Sequence, residues 1–112
     1  VINIPLQVYT AQYNTRDPDR FDTTVKTSNG TFAPTWEMVM KHKKGKISDE
    51  EYTQLYYDLM RKSFKKHRSE WDQLLSRDRV VLVCFCRKGK FCHRLLLAEI
   101  LVKLGAEYKG EL

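Results

Sequence analysis

The chain has 112 residues, 42% of them hydrophobic and 30% charged, with a net charge of +6. That length supports one domain with a modest core and no second one, and the composition excludes wholesale disorder. No apolar run reaches the roughly 18 to 20 residues needed to span a bilayer. The basic balance favours an anionic partner (nucleic acid, a nucleotide or an acidic protein) without choosing among them.

The opening "VINIPLQVYTAQYN" has neither a basic leader nor a small-residue cleavage site, so no secretory signal is expected. Within it, Pro5 to Tyr13 is rich in β-branched and aromatic residues and reads as a strand. "NTRDPDRFD" follows as a polar loop with Asp17-Pro18 as its turn signal. "TTVKTSNGTF" predicts a small hairpin with Asn29-Gly30 at the tip. Pro34 suits the first turn of a helix over "TWEMVMKHK", which Gly45 ends.

"SDEE" (Ser48 to Glu51) is a capping box. The helix behind it is expected to run to about Lys66, with Tyr52, Leu55, Tyr56, Leu59 and Ser63 on one face. "SEWDQLL" predicts another short helix. "RVVLVCFC" is a continuous apolar run of the kind found in a strand covered on both faces. A helix over "HRLLLAEILVKL" is expected to bury Leu97, Ile100, Leu101 and Leu104 and to stop at Gly105, before a last short strand in "AEYKGEL". This order predicts a single three-layer α/β domain over residues 1–112, with a small, largely parallel sheet flanked by helices. In such sheets ligands bind beyond the carboxyl ends of the strands. That rule points to "CRKGKFCHR", directly after the buried strand.

Arg87, Lys88, Lys90, His93 and Arg94 crowd the start of a helix, and no carboxylate lies between Arg87 and Ala98. A helix start repels cations, at about 0.3 to 1 kcal/mol for each first-turn charge. A bound phosphate or carboxylate removes that cost, with Gly89 permitting close backbone approach. The bland alternative is a solvated loop in which Arg94 pairs with a distant acid such as Asp22 or Glu37. The spacing matches neither a Gly-Lys-Ser/Thr phosphate loop nor Cys-x5-Arg.

Cys92, at the helix start amid positive charge, is the best nucleophile in the chain, with His93 or a more distant histidine as the candidate base. Filling a small apolar gap is the ordinary alternative. Cys84 and Cys86 read as core. A structural zinc site is not expected, because no second Cys-x2-Cys-type pair accompanies these residues. Three cysteines in this arrangement make a poor disulfide framework, which suits a reducing, cytoplasmic setting. Asp22 and Lys26 fall at the same end of the sheet, for acid–base work or as a plain surface pair. Tyr13 and Trp36 are candidates to stack on a base, or ordinary core aromatics. Lys41 to Lys46 and Arg61 to Arg68 are basic clusters, able to track a phosphate backbone or to serve as solvated helix ends.

Cys84 followed eight residues on by Cys92-His93-Arg94, then "LLLAEIL", resembles the bacterial and phage family called domain of unknown function 488. The likeness extends through "YTAQY", "RFDTTVK", "FAPTWEMVM", "ISDEEYTQLYYDLM" and "LGAEYKGEL", and is greatest to the phage and prophage branch. It implies the α/β fold and a functional role for Cys92, His93 and Arg94. Many relatives carry an acid where this chain has Cys86, so no role passes to that position.

The expected catalytic residues are thus Cys92, His93 and Asp22, and the expected ligand-binding residues Arg94, Lys88, Gly89, Lys90, Lys26 and Tyr13. The expected ligand bears a phosphate, as a nucleotide or nucleic acid; no metal or membrane partner is expected, and the sequence leaves any cofactor open. Two classes of function fit: an enzyme with a Cys/His site, and a non-catalytic binder that sequesters a nucleotide, docks on a host protein or holds DNA or RNA.

Overall fold

The structure, a computed structural model, describes residues 5–86 and 90–112. In chain order its elements are β1 (Gln7–Gln12), β2 (Arg20–Asp22), α1 (Trp36–Lys43), α2 (Asp49–Lys66), α3 (Arg68–Leu75), β3 (Arg79–Cys84), α4 (His93–Lys103) and β4 (Glu107–Glu111). The strands form one sheet in the order β2-β3-β1-β4, every pairing parallel. This is the α/β domain with a parallel sheet flanked by helices that the element order predicts.

β3 is paired on both edges, and Val80 to Val83 are completely buried. That accounts for its unbroken apolar run. Val8, Val80 and Leu82 face the large core, where Tyr56, Trp71, Leu97 and Leu101 close over them. The opposite face carries a smaller cluster of Ala11, Val81 and Val83 beside Tyr9 and Tyr13. Arg79 and Arg20 lie over those two tyrosine rings.

The capping box forms as expected: Glu51 N–H donates to Ser48 Oγ at 3.1 Å, and Ser48 N–H to Glu51 Oε1 at 3.2 Å. Thr35 caps α1 by accepting from Met38 N–H, which leaves Pro34 just outside the helix rather than in its first turn. The buried face of α2 is Tyr52, Tyr56 and Met60, while Leu55 is exposed and Leu59 only partly covered. α4 buries more than one stripe, because it packs on β1, β3 and β4 and also touches α2. Leu96, Leu97, Ala98 and Leu101 are buried, whereas Leu104 lies beyond the helix and is exposed.

Two local expectations fail, the first because residues 20–22 of the polar loop pair with β3 as a strand. The polar loop contains β2, and no hairpin forms over residues 23–32. Over residues 23–32 side chains satisfy the backbone and each other in place of a hairpin ladder. Asp22 accepts from Thr24 N–H and from the Thr24 and Thr27 hydroxyls. Glu70 accepts from Asn29 Nδ2 and the Thr31 hydroxyl. Among the described residues, no helix is long and apolar enough to cross a membrane.

Candidate functional site

Parallel strands bring their carboxyl ends to one edge, so Asp22, Cys84 and Glu111 close their strands on the same side of the sheet. α4 starts there, with Cys92 as its N-cap residue in extended conformation. The Cys92 side chain does not cap that helix. The Cys92 thiol instead turns towards Cys84 and His93, and the Cys84 and Cys92 sulfurs are in contact. Their Cα atoms are 7.8 Å apart, beyond the roughly 4.4 to 6.8 Å that disulfides span. The pair is therefore two converging sulfurs on a backbone spacing wider than an ordinary disulfide has.

His93 is buried, and its ring orientation follows from its partners. Thr23 Oγ1 donates its only proton to Val83 O at 2.8 Å. Towards His93 Nε2, 3.0 Å away, that hydroxyl can only accept, and so can Thr23 O at 2.8 Å. The network therefore assigns the proton to Nε2 and leaves the lone pair on Nδ1, which faces Cys92 Sγ at 3.8 Å. Burial lowers the imidazole pKa to about 4, and Arg94 adds to the effect. His93 is thus a neutral acceptor beside a thiol.

Arg94 is completely buried. Its Nε and Nη2 donate to the two carboxylate oxygens of Glu111 at 3.2 and 2.8 Å. Its Nη1 reaches Cys84 Sγ at 2.9 Å and Cys86 O at 3.0 Å. Glu111 gets there through a bulge. Tyr108 pairs with Val8, but Gly110 pairs with Tyr9 and Glu111 with Thr10, so Lys109 is an extra residue. Regular pairing sets Glu111 opposite Ala11 and aims it at the other face. Gly110 supplies the bulge with φ of 124°.

A cleft of about 520 Å³ opens over this cluster, with Cys84, Cys86, Cys92 and His93 at its base. Its walls are aromatic: Trp36 from α1, Tyr52 from α2, and Phe91 edge-on to Tyr52. Lys26, Lys43 and Lys90 stand at the cleft, and among the described residues no acid forms an ion pair with them. Lys26 lies 5.5 Å from the Trp36 ring centroid. Burial pushes the Cys86 thiol pKa up despite nearby Arg94 and Lys43.

The structure thus gathers Cys92, His93, Lys26 and Lys90 at one cleft, and Arg94 contacts its Cys84 base. Arg94 itself is turned towards Glu111. Asp22 serves the turn over residues 23–27; burial pushes its pKa up, but bonds from Thr27 and Thr24 outweigh this and leave it below normal. Tyr13 lies outside the cleft lining, stacked on Phe85 with ring centroids 4.3 Å apart. Lys88 and Gly89, with Arg87, lie outside the described residues.

The two basic clusters are partly matched by local acids: Lys41 with Glu37, Arg61 with Asp58 and Arg68 with Asp72. Sequence reading missed Thr23, Glu111 and the part played by Cys84. The signal available for Glu111 was Arg94 itself, since an arginine on the sheet-facing side of a buried helix requires an acid.

Residues 5–105 match the family model DUF488-N3a, described as the active DUF488-N3 subclade. No curated protein and no solved structure matches the chain.

Proposed function

The chain belongs to the DUF488 family through its N3a model, and from that premise we propose an enzyme that takes a phosphate-bearing ligand of nucleotide size into the cleft and acts on it through Cys92 and His93. The observation that carries this reading is the oriented pair at the cleft base, with His93 Nδ1 facing Cys92 Sγ and Nε2 held by Thr23. A thiol beside a fixed imidazole lone pair is the arrangement of an activated nucleophile. Because the imidazole is neutral at rest, the thiol proton passes to Nδ1 as sulfur attacks, and returns to the leaving group.

The aromatic walls suit a planar ring, and Lys26, Lys43 and Lys90 suit a phosphate. The volume lies within the usual range for small-molecule sites, roughly 300 to 1,000 Å³. The subclade's description as active favours an enzyme over a sequestering binder. Arg94 positions the cluster through Cys84 rather than holding the phosphate, because its donors are directed to Glu111, Cys84 and Cys86.

Calorimetric titration with nucleoside mono-, di- and triphosphates, with products followed by chromatography, tests the reading. Binding by the wild type, weakened by Lys43→Glu and Lys90→Glu, is expected; Cys92→Ser and His93→Ala keep the affinity and lose turnover. Binding without turnover in the wild type indicates the non-catalytic accessory protein instead. No binding by any phosphate-bearing ligand overturns both.

A further inference from the structure

We infer that Cys84, Cys92 and His93 form a site for a soft divalent cation of the Zn2+ type, with a fourth coordination position open to the cleft. The two sulfurs and a His93 ring nitrogen lie within 4.8 Å of one another, and all three residues are buried. His93 has the posture of a ligand, since Nε2 is anchored on Thr23 O at 2.8 Å while Nδ1 faces the sulfurs. Metal-binding histidines almost always fix their second nitrogen on a carbonyl, carboxylate or water in this way.

The backbone separation fits as well. At 7.8 Å the Cα atoms stand too far apart for an ordinary disulfide. It leaves the thiols room to part to about 3.8 Å, the separation of two sulfurs each ~2.3 Å from a tetrahedral zinc ion. Charge also balances. The Arg94 guanidinium donates to Cys84 Sγ, but its own charge is met by Glu111. Two deprotonated thiols therefore leave two negative charges for one divalent cation.

Sequence spacing hid this site, because a strand end and a helix start bring the ligands together rather than a zinc knuckle. All three ligands line the cleft. Three protein ligands beside an open position is the pattern of catalytic rather than structural zinc. The inference keeps the cleft and its ligand but replaces the nucleophilic step: with the cation bound, Cys92 and His93 Nδ1 are ligands, and the fourth position meets whatever enters the cleft.

The test is anaerobic titration of the full chain, thiols reduced, with Co2+ followed by Zn2+. The expected result is a one-to-one complex with thiolate-to-cobalt charge-transfer absorption and intense tetrahedral visible bands, both bleached by Zn2+. Cys84→Ser, Cys92→Ser and His93→Gln each weaken binding roughly tenfold or more, whereas Cys86→Ser leaves the bands unchanged. Absence of the charge-transfer absorption in the wild type overturns the inference whether or not any variant folds. So does its loss in Cys86→Ser together with its persistence in Cys84→Ser. Nucleotide affinity is measured separately, so failure of the metal site and failure of the ligand reading are distinguishable.

Discussion

Arg94 and Glu111 meet in a two-point ion pair that ties the first turn of α4 to the last strand, with the guanidinium side chain 1% exposed and the carboxylate 17%. Removing the acid leaves a cation inside the protein beside Cys84. Glu111→Ala is therefore expected to destabilise the fold by about 3 to 5 kcal/mol, read from urea denaturation. Arg94→Met with Glu111→Leu removes both charges and is expected to recover most of that loss. A double variant as unstable as Glu111→Ala alone sinks the account.

The same pair depends on the bulge at Lys109, which Gly110 makes accessible. Among the described residues nothing stands within 4 Å of a Cβ added at Gly110, so Gly110→Ala tests backbone conformation and not crowding. A residue with a side chain is strained at φ of 124°, at a cost of about 1 to 3 kcal/mol. Adding Gly110→Ala to the Arg94→Met/Glu111→Leu background isolates the backbone part, because the ion pair is already gone. A greater loss in the wild-type background is expected, since relaxing the bulge there also pulls Glu111 off Arg94.

Legibility in the sequence followed the range of the interactions. β3, the capping box at Ser48 and the helix behind it are written in neighbouring residues and form as expected, except that β3 ends at Cys84 and Cys86 is only partly buried. β2 is three residues long and is recognisable only once β3 lies beside it. The hairpin expected around Asn29-Gly30 lost to contacts with Glu70, forty residues away in the chain. At the site, Cys92, His93 and Arg94 announced themselves by crowding a helix start. Their partners did not, because Thr23, Cys84 and Glu111 arrive through strand order and a bulge, neither of which has a local sequence signature.

His93 makes stability depend on pH. Burial holds its folded pKa at about 4, against 6.5 for an ordinary histidine. Between those values the unfolded chain binds a proton that the folded chain does not. The contribution is fully present above pH 6.5 and disappears as pH falls towards 4, by on the order of 3 kcal/mol. Asp22, whose carboxyl is held below its usual 3.8, acts in a lower window. In metal-free protein, urea midpoints are expected to fall from pH 7 to pH 5 for the wild type and to stay nearly level for His93→Gln. Parallel slopes for the two proteins count against a buried neutral imidazole.

Thr23 separates the two bonds that hold His93. Thr23→Val removes the hydroxyl but keeps Thr23 O, the closer acceptor for Nε2. Val83 O also keeps a partner, because Thr23 N–H donates to it at 3.1 Å. No buried group is left unsatisfied, so the expected cost is only about 0.5 to 1.5 kcal/mol. The ring proton is expected to stay on Nε2, read from the two imidazole 15N shifts. A switch to Nδ1–H shows that the hydroxyl, and not Thr23 O, sets the tautomer, and overturns the expectation that the carbonyl alone holds it.

Trp36 reports on the cleft without a label. It is 49% exposed at the cleft wall, while Trp71 is completely buried and donates Nε1–H to Ser63 Oγ. Acrylamide is therefore expected to quench the Trp36 share of the emission and to spare Trp71. A nucleotide ring that enters the cleft covers Trp36 and reduces this quenching. Trp36→Phe is expected to abolish both the accessible fraction and the ligand response while leaving the Trp71 signal in place. A ligand response that persists in Trp36→Phe moves the binding surface away from this wall, and with it the argument that Lys26 and the aromatic ring act on the same ligand.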